Sequence, residues 1–242
     1  MEFIDAHAHL HLIKDIEGAI ERAKNCSVKV ILACGYSSKA NRDILELSRK
    51  FPSVKPIIGT DPQAAMELSD FSKELKLIGE NMKEITGIGE VGLDLKYGKT
   101  NEQIKRQYEC FELFVNFAIS ENLPLVVHSR KAEREVLELL VKKRASKVML
   151  HCFSGPLELA LKAVENGYYL SIPPISSSTR EKIIKHISLE SLMLETDAPF
   201  IGKEPSEVIK SAEMIARTKK ISIDEVASVT TENCIKLFNL SD

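Results

Sequence analysis

Apolar and polar positions follow one another along this chain in two rhythms. Short apolar runs rich in Val, Ile and Leu recur between longer segments whose apolar residues fall three and four apart. The first rhythm marks buried strands and the second amphipathic helices. Eight runs read as strands: 3–9, 28–34, 54–59, 85–90, 123–128, 147–152, 168–172 and 192–196. Helix-period segments lie between them at 15–25, 41–50, 69–82, 101–120, 132–142, 156–165 and 178–186. Within 101–120, for example, Cys110, Phe111, Phe114, Val115 and Ala118 form one apolar face. Ser154-Gly155-Pro156 offers cap chemistry and an early proline, and Ser178 precedes another helix start. The tail, 205–242, reads as two or three further helices with a break near 219–222.

A helix between two strands returns the chain to the same end of the sheet, so the strands are parallel. Runs such as Val28-Lys29-Val30-Ile31-Leu32 and Val148-Met149-Leu150 suit strands covered on both faces. Eight such units predict an α/β fold, a (β/α)₈ TIM-like barrel with extra C-terminal helices. No linker, repeat or low-complexity segment interrupts it, so residues 1–242 are expected to form one domain.

Bulk properties narrow the function classes. Hydrophobic residues make up 44% and charged residues 28%, enough for a large core under a polar surface. The net charge of −2 gives no global field for a polyanion, so any nucleic-acid contact has to be local. Five cysteines without a C-x-x-C pair read as reduced thiols, and no signal-like or membrane-spanning apolar run is present. A cytoplasmic protein is the expectation, with no membrane partner.

Candidate chemistry collects where such barrels keep it, at the carboxyl ends of the strands. Strand one ends in His7 and His9, two apart and therefore on one side of the strand. Strand four ends in Glu90, strand five in His128 and strand six in His151, and strand eight leads to Asp197. Alone, each has a plain structural reading: a hydrogen-bonded histidine, a solvated loop glutamate, a capping aspartate. Together, four imidazoles and two carboxylates at one rim are what two divalent cations require. Glu90, with two oxygens and a full charge, could bridge both ions. Asp197 could ligate one and accept the proton of an attacking water. His11 lies beyond the strand and is expected to be exposed near the mouth, and His186 closes a helix where a partly charged imidazole suits the dipole.

These residues sit in five ordered motifs: Asp5-Ala6-His7-Ala8-His9-Leu10, Gly89-Glu90-Val91-Gly92-Leu93-Asp94, Leu123-Pro124-Leu125-Val126-Val127-His128-Ser129-Arg130, His151-Cys152-Phe153-Ser154-Gly155 and Leu194-Glu195-Thr196-Asp197-Ala198-Pro199. In this the chain resembles the TatD family of metal-dependent hydrolases, a branch of the amidohydrolase-like barrels. The closing Asn233-Cys234-Ile235-Lys236-Leu237-Phe238 is also similar to that family. The resemblance implies two divalent ions (Zn, Mn or Mg). His7, His9, Glu90 and Asp197 would hold one, and Glu90, His128 and His151 the other. It further implies hydrolysis of nucleic-acid phosphodiesters, as a deoxyribonuclease acting on DNA ends or short single strands. Glu90, where some amidohydrolases carry a modified lysine, argues against the dihydroorotase and urease branches.

Two departures stand out. The family's Gly-x-His-Pro-His after strand three is Gly59-Thr60-Asp61-Pro62-Gln63 here, and Asp61 would repel a phosphate where an imidazole would hold it. The loop after Asp-Ala-Pro is short, Phe200-Ile201-Gly202-Lys203, and lacks the family's arginine. Hydrolysis of a small ester, lactone, amide or phosphate is therefore the alternative, and an idle scaffold a third. Candidate substrate contacts are Arg130, Lys96, Tyr97, Ser154, Gly155 and Asp61. Tyr97 could stack on a base, and the N–H groups of Ser154 and Gly155 could face an anion. Lys99, Lys105, Arg106, Lys131 and Arg134 are further cations nearby, and the Ser176–Thr179 run reads as helix-capping. Asp94 is expected to orient a ligand imidazole rather than bind metal itself.

Overall fold

Eight parallel strands, paired in the order β1 to β8, form the frame of the computed structural model, which describes residues 1–240. They are β1 (Phe3–Ala8), β2 (Val28–Cys34), β3 (Val54–Ile58), β4 (Gly87–Gly92), β5 (Leu125–His128), β6 (Val148–Leu150), β7 (Tyr169–Ile172) and β8 (Leu192–Leu194). Helices α1 (Ile16–Asn25), α2 (Ser38–Lys50), α3 (Pro62–Glu67), α4 (Ser72–Glu80), α5 (Asn101–Ser120), α6 (Glu133–Lys143), α7 (Leu157–Glu165) and α8 (Ser178–His186) cover the outside. The expected barrel is present.

Its seam closes beyond the last strand. His9 N–H donates to the Ala198 carbonyl at 2.7 Å, and Asp197 N–H donates to the His7 carbonyl at 2.9 Å. Below that seam the buried Asp5 carboxylate accepts from Thr196 N–H at 2.8 Å and from its hydroxyl at 2.6 Å. Burial pushes the Asp5 carboxyl up to about 8, so its proton and these donors do the work of a counter-ion. Closure thereby sets Asp197 beside His7 of β1 and His9 just after it.

The interior holds Ile4, Leu32, Ile57, Val126, Met149 and Met193 from six strands. The last helix, α10 (Ile223–Phe238), adds Cys234, Leu237 and Phe238 to that cluster and plugs the amino-terminal end. With the bottom filled, the open end is the one that carries the histidines. α9 (Val208–Lys219) and α10 are separated at Lys220, in the left-handed region at φ 59°, matching the break read near 219–222.

Most strand bounds shift by one or two residues from the sequence reading, so that His9 and His151 stand just beyond β1 and β6, and three differences are larger or bear on the site. The segment read as one helix over 69–82 is preceded by α3, started by Asp61 as cap and Pro62 in its first turn. β4 runs on to Gly92, so Glu90 lies inside the strand rather than at its end. β8 stops at Leu194, and Asp197 stands three residues beyond it in the left-handed region at φ 49°. None of the described helices is long and apolar enough to cross a membrane.

Candidate metal centre

β1 and the residue that follows it deliver two imidazoles to one point: the Nε2 atoms of His7 and His9 are 3.2 Å apart. Glu90 Oε2 lies 3.5 Å from the first and 3.4 Å from the second. Asp197 Oδ1 lies 3.7 Å and 3.6 Å from them. Donors about 2.0–2.1 Å from a tetrahedral zinc stand roughly 3.3 Å from one another, so this set has the spacing of a coordination shell.

The other oxygen of Glu90 faces a second set. Oε1 is 2.6 Å from His128 Nδ1 and 2.9 Å from His151 Nε2, and those nitrogens are 3.1 Å apart. One carboxylate thus serves two groups of donors. All six residues expected at the rim come together, and five of them are buried; His128 is partly exposed.

Their outer partners fix which ring atoms look inward. His9 Nδ1 is 3.0 Å from the Cys34 carbonyl, which can only accept, so Nδ1 carries a proton and Nε2 presents a lone pair. His128 Nε2 is 3.0 Å from Asp94 Oδ2 and donates to it. Asp94 in turn accepts from the N–H groups of Lys96 and Tyr97, at 2.9 and 3.1 Å. Behind His151 lies a buried carboxylate, Glu195, at 3.7 Å from Nδ1 and held by the Ser171 hydroxyl at 2.6 Å. His7 Nδ1, His151 Nδ1 and Glu195 Oε1 have no hydrogen-bond partner among the described residues. Lone pairs and carboxylates facing one another in a buried site lack positive charge, and divalent cations fit that lack.

Titration reflects the same deficit. Burial alone would discharge His128, but hydrogen bonds to Asp94 and Glu90 hold its pKa up, at about 9. Burial opposes His151 too, and Glu90 and Glu195 override it and raise the pKa well above the ordinary value. His7, buried beside the charged His151, falls to about 4. Burial lifts Asp197 to about 6. Glu90, despite burial, is held well below the carboxylate range by the surrounding imidazoles. Without metal, protons on His128 and His151 supply part of the missing charge.

The centre opens into a cavity of about 1010 Å³. Of the expected substrate contacts, Arg130, Tyr97, Ser154 and Asp61 line it, whereas Lys96 and Gly155 do not. Arg130 lies over the Tyr97 ring at 5.5 Å. Ser154 gives its hydroxyl to Glu133, and α7 begins only at Leu157, so Ser154 and Gly155 precede the helix rather than open it. Asp61 caps α3 through Ala64 N–H at 2.7 Å, and burial and Glu90 raise its pKa to about 6. Lys105 and Arg106 are engaged by Glu109, and Arg106 also packs over Phe71. His186 bonds its own helix at the Lys182 carbonyl. His11 is half-buried against His9 and Tyr36 rather than exposed, and burial lowers its pKa to about 4.

The sequence reading did not single out Glu195, the Cys34 carbonyl or Arg180. Glu195 had a signal, since it stands two residues before Asp197 in a buried run. A backbone carbonyl has none. Arg180 lies within a serine-rich helix start that reads as capping.

Known proteins are similar to this chain along nearly its whole length. The family model described as TatD related DNase matches residues 4–239. The chain is 36% identical to Deoxyribonuclease TATDN3 of Homo sapiens, covering 97% of this chain and 94% of that protein. It is 32% identical to the uncharacterized metal-dependent hydrolase YabD of Bacillus subtilis, covering 98% and 99%. The crystal structure of YJJV, a TatD homologue from Escherichia coli, superposes with a TM-score of 0.92 at 25% identity, over 99% of this chain and 98% of that one.

Proposed function

The chain belongs to the TatD-related DNase family of metal-dependent hydrolases, and from that premise we propose that it hydrolyses phosphodiester bonds at DNA ends or in short single strands, with two divalent cations (Mg, Mn or Zn) at its centre. The observation that carries this reading is the disposition of Glu90, whose two oxygens address two separate sets of donors. His7, His9, Glu90 and Asp197 would hold one cation, and Glu90, His128 and His151 the other.

Bound there, the cations would polarise a phosphoryl oxygen and lower the pKa of water from about 15.7 towards about 7. The protein does the rest. Asp94 and the Cys34 carbonyl keep the His128 and His9 rings oriented with lone pairs inward. Asp197, whose carboxylate takes no hydrogen bond from a described residue, accepts the proton of the attacking water. Arg130 and Tyr97 receive the chain leading to the scissile bond, one by charge and one by stacking.

Incubation of metal-loaded protein with labelled single-stranded DNA, beside Asp197→Asn, tests the reading. Cleavage is expected from the wild type only, and equal product from both would assign it to a contaminant. Asp61 favours a second reading, because its carboxylate occupies the cavity wall where it would oppose a polyanion. A small ester, lactone, amide or phosphate would then be the substrate. Turnover of such compounds with none of oligonucleotides, across all three metals, would select it.

A further inference from the structure

Arg180 is the one buried guanidinium among the described residues, at 7% exposure near the start of α8. Its surroundings do not balance it. One nitrogen donates to the Ile175 carbonyl at 2.7 Å, and another reaches only the Cys152 sulfur, at 3.9 Å. Nε has no partner. A guanidinium has five N–H donors, and a thiol is a weak acceptor. Other arginines that make ion pairs here, Arg22, Arg49 and Arg106, have carboxylates in contact, whereas Arg180 has none among the described residues.

Burying an unpaired cation is costly, and a folded protein tolerates it where a ligand supplies the opposite charge. Arg180 lines the same cavity as His151 and Asp197, and the sulfur it approaches belongs to the residue after His151. It therefore stands on the side of the second donor set, in a cavity whose wall carries the carboxylates Asp61, Glu67, Glu90, Asp94 and Asp197 and, besides Arg180, the exposed guanidinium of Arg130. A fixed positive group there offsets carboxylates that would repel an anion. Its planar fork also suits two oxygens of one tetrahedral group better than an ammonium does.

The geometry points to Arg180 as the residue that grips a phosphate of the substrate on the His151 side of the centre. This rests on the phosphodiesterase reading above, and it places the anion grip on α8 rather than in the short 200–203 loop. Arg180 acts by binding, so its removal weakens the hold on phosphate and leaves the metals in place.

The test uses the whole 242-residue chain loaded with zinc or magnesium and inorganic phosphate as probe. Calorimetry is expected to show phosphate affinity falling roughly 30-fold or more in Arg180→Met, with metal content unchanged and partial recovery in Arg180→Lys. In the unaltered protein, the Arg180 guanidinium nitrogen resonance is expected to move saturably as phosphate is added, a reading that no folding defect can affect. An unmoved resonance, or wild-type phosphate affinity in Arg180→Met, would overturn the assignment. Phosphate held through Arg180 without any DNA cleavage would instead count against the nuclease reading alone.

Discussion

Replacing Asp94 by Asn removes one charge and almost no volume, yet the amide cannot keep all three hydrogen bonds that the carboxylate accepts. Asp94 Oδ1 accepts two backbone N–H groups, from Lys96 and Tyr97, and Oδ2 accepts the His128 Nε2–H. An amide has one accepting oxygen, so its NH₂ must oppose a donor in either orientation. Turned towards the loop, the NH₂ opposes two N–H groups; turned towards His128, it opposes one. The second orientation costs less. His128 can relieve the remaining clash by moving its proton from Nε2 to Nδ1, but Nδ1 is the atom aimed at Glu90 and the second donor set. The ligand is then lost through its tautomer rather than its position. Loss of such outer partners lowers metal affinity by about 10–100-fold, which is about 1.4–2.7 kcal/mol. The assay is metal retained per chain after dialysis against graded chelator, followed by calorimetric titration. One ion should be held as in the wild type and the other released at much lower chelator, with a parallel fall in hydrolysis. If Asp94→Asn retains both ions with affinities within about twofold of wild type, the tautomer argument is wrong.

Other perturbations give separate checks. Gly92 has φ 146°, and a methyl group there would lie 2.0 Å from the His128 carbonyl oxygen, so Gly92→Ala has to push β5 away. Thermal unfolding should fall on the order of 5–15 °C, with loss of the second ion; an unchanged midpoint would contradict the close packing of β4 on β5. Metal binding should expel protons, because the His128 pKa lies at about 9 without metal. Apparent affinity should therefore drop as pH falls below that value, by about tenfold per unit for each proton displaced. Titrations at pH 7 in buffers of different ionisation heat would show the release, and buffer-independent heats would refute it. The metal-free protein has the opposite linkage. A histidine with a raised folded-state pKa stabilises fully below its unfolded value of 6.5 and loses that contribution as pH rises through about 9. Chemical denaturation of chelated protein should accordingly show this contribution shrinking across that window; with Asp94→Asn the dependence should flatten.

The barrel was legible because most strands are short apolar runs and most of the longer helices keep their period, whereas the six-residue α3 is too short to show one. The six rim residues were legible because the strand ends of such a barrel share one end, so position along each strand predicts position in space. His7 and His9 needed only their spacing of two. Asp197 was harder to place geometrically, since β8 ends three residues earlier and the seam, held by Asp5 and Thr196, carries it to β1. Contacts made through backbone atoms escape a reading by residue type, as with the Cys34 carbonyl behind His9. Lys96 and Gly155 come after the right strands yet miss the cavity, because a loop residue's direction depends on its turn. At Lys96 that turn is wound around the Asp94 carboxylate. Arg180 went unread for the converse reason: its sequence neighbours suggest only a cap, and what it lacks becomes visible when its surroundings are known.

The most direct test is anomalous diffraction from crystals soaked in manganese. Two peaks are predicted, one among His7, His9, Glu90 and Asp197 and one among Glu90, His128 and His151, with a Glu90 oxygen on each. An empty rim at full manganese, or a lone peak that Glu90 does not touch, would contradict the account.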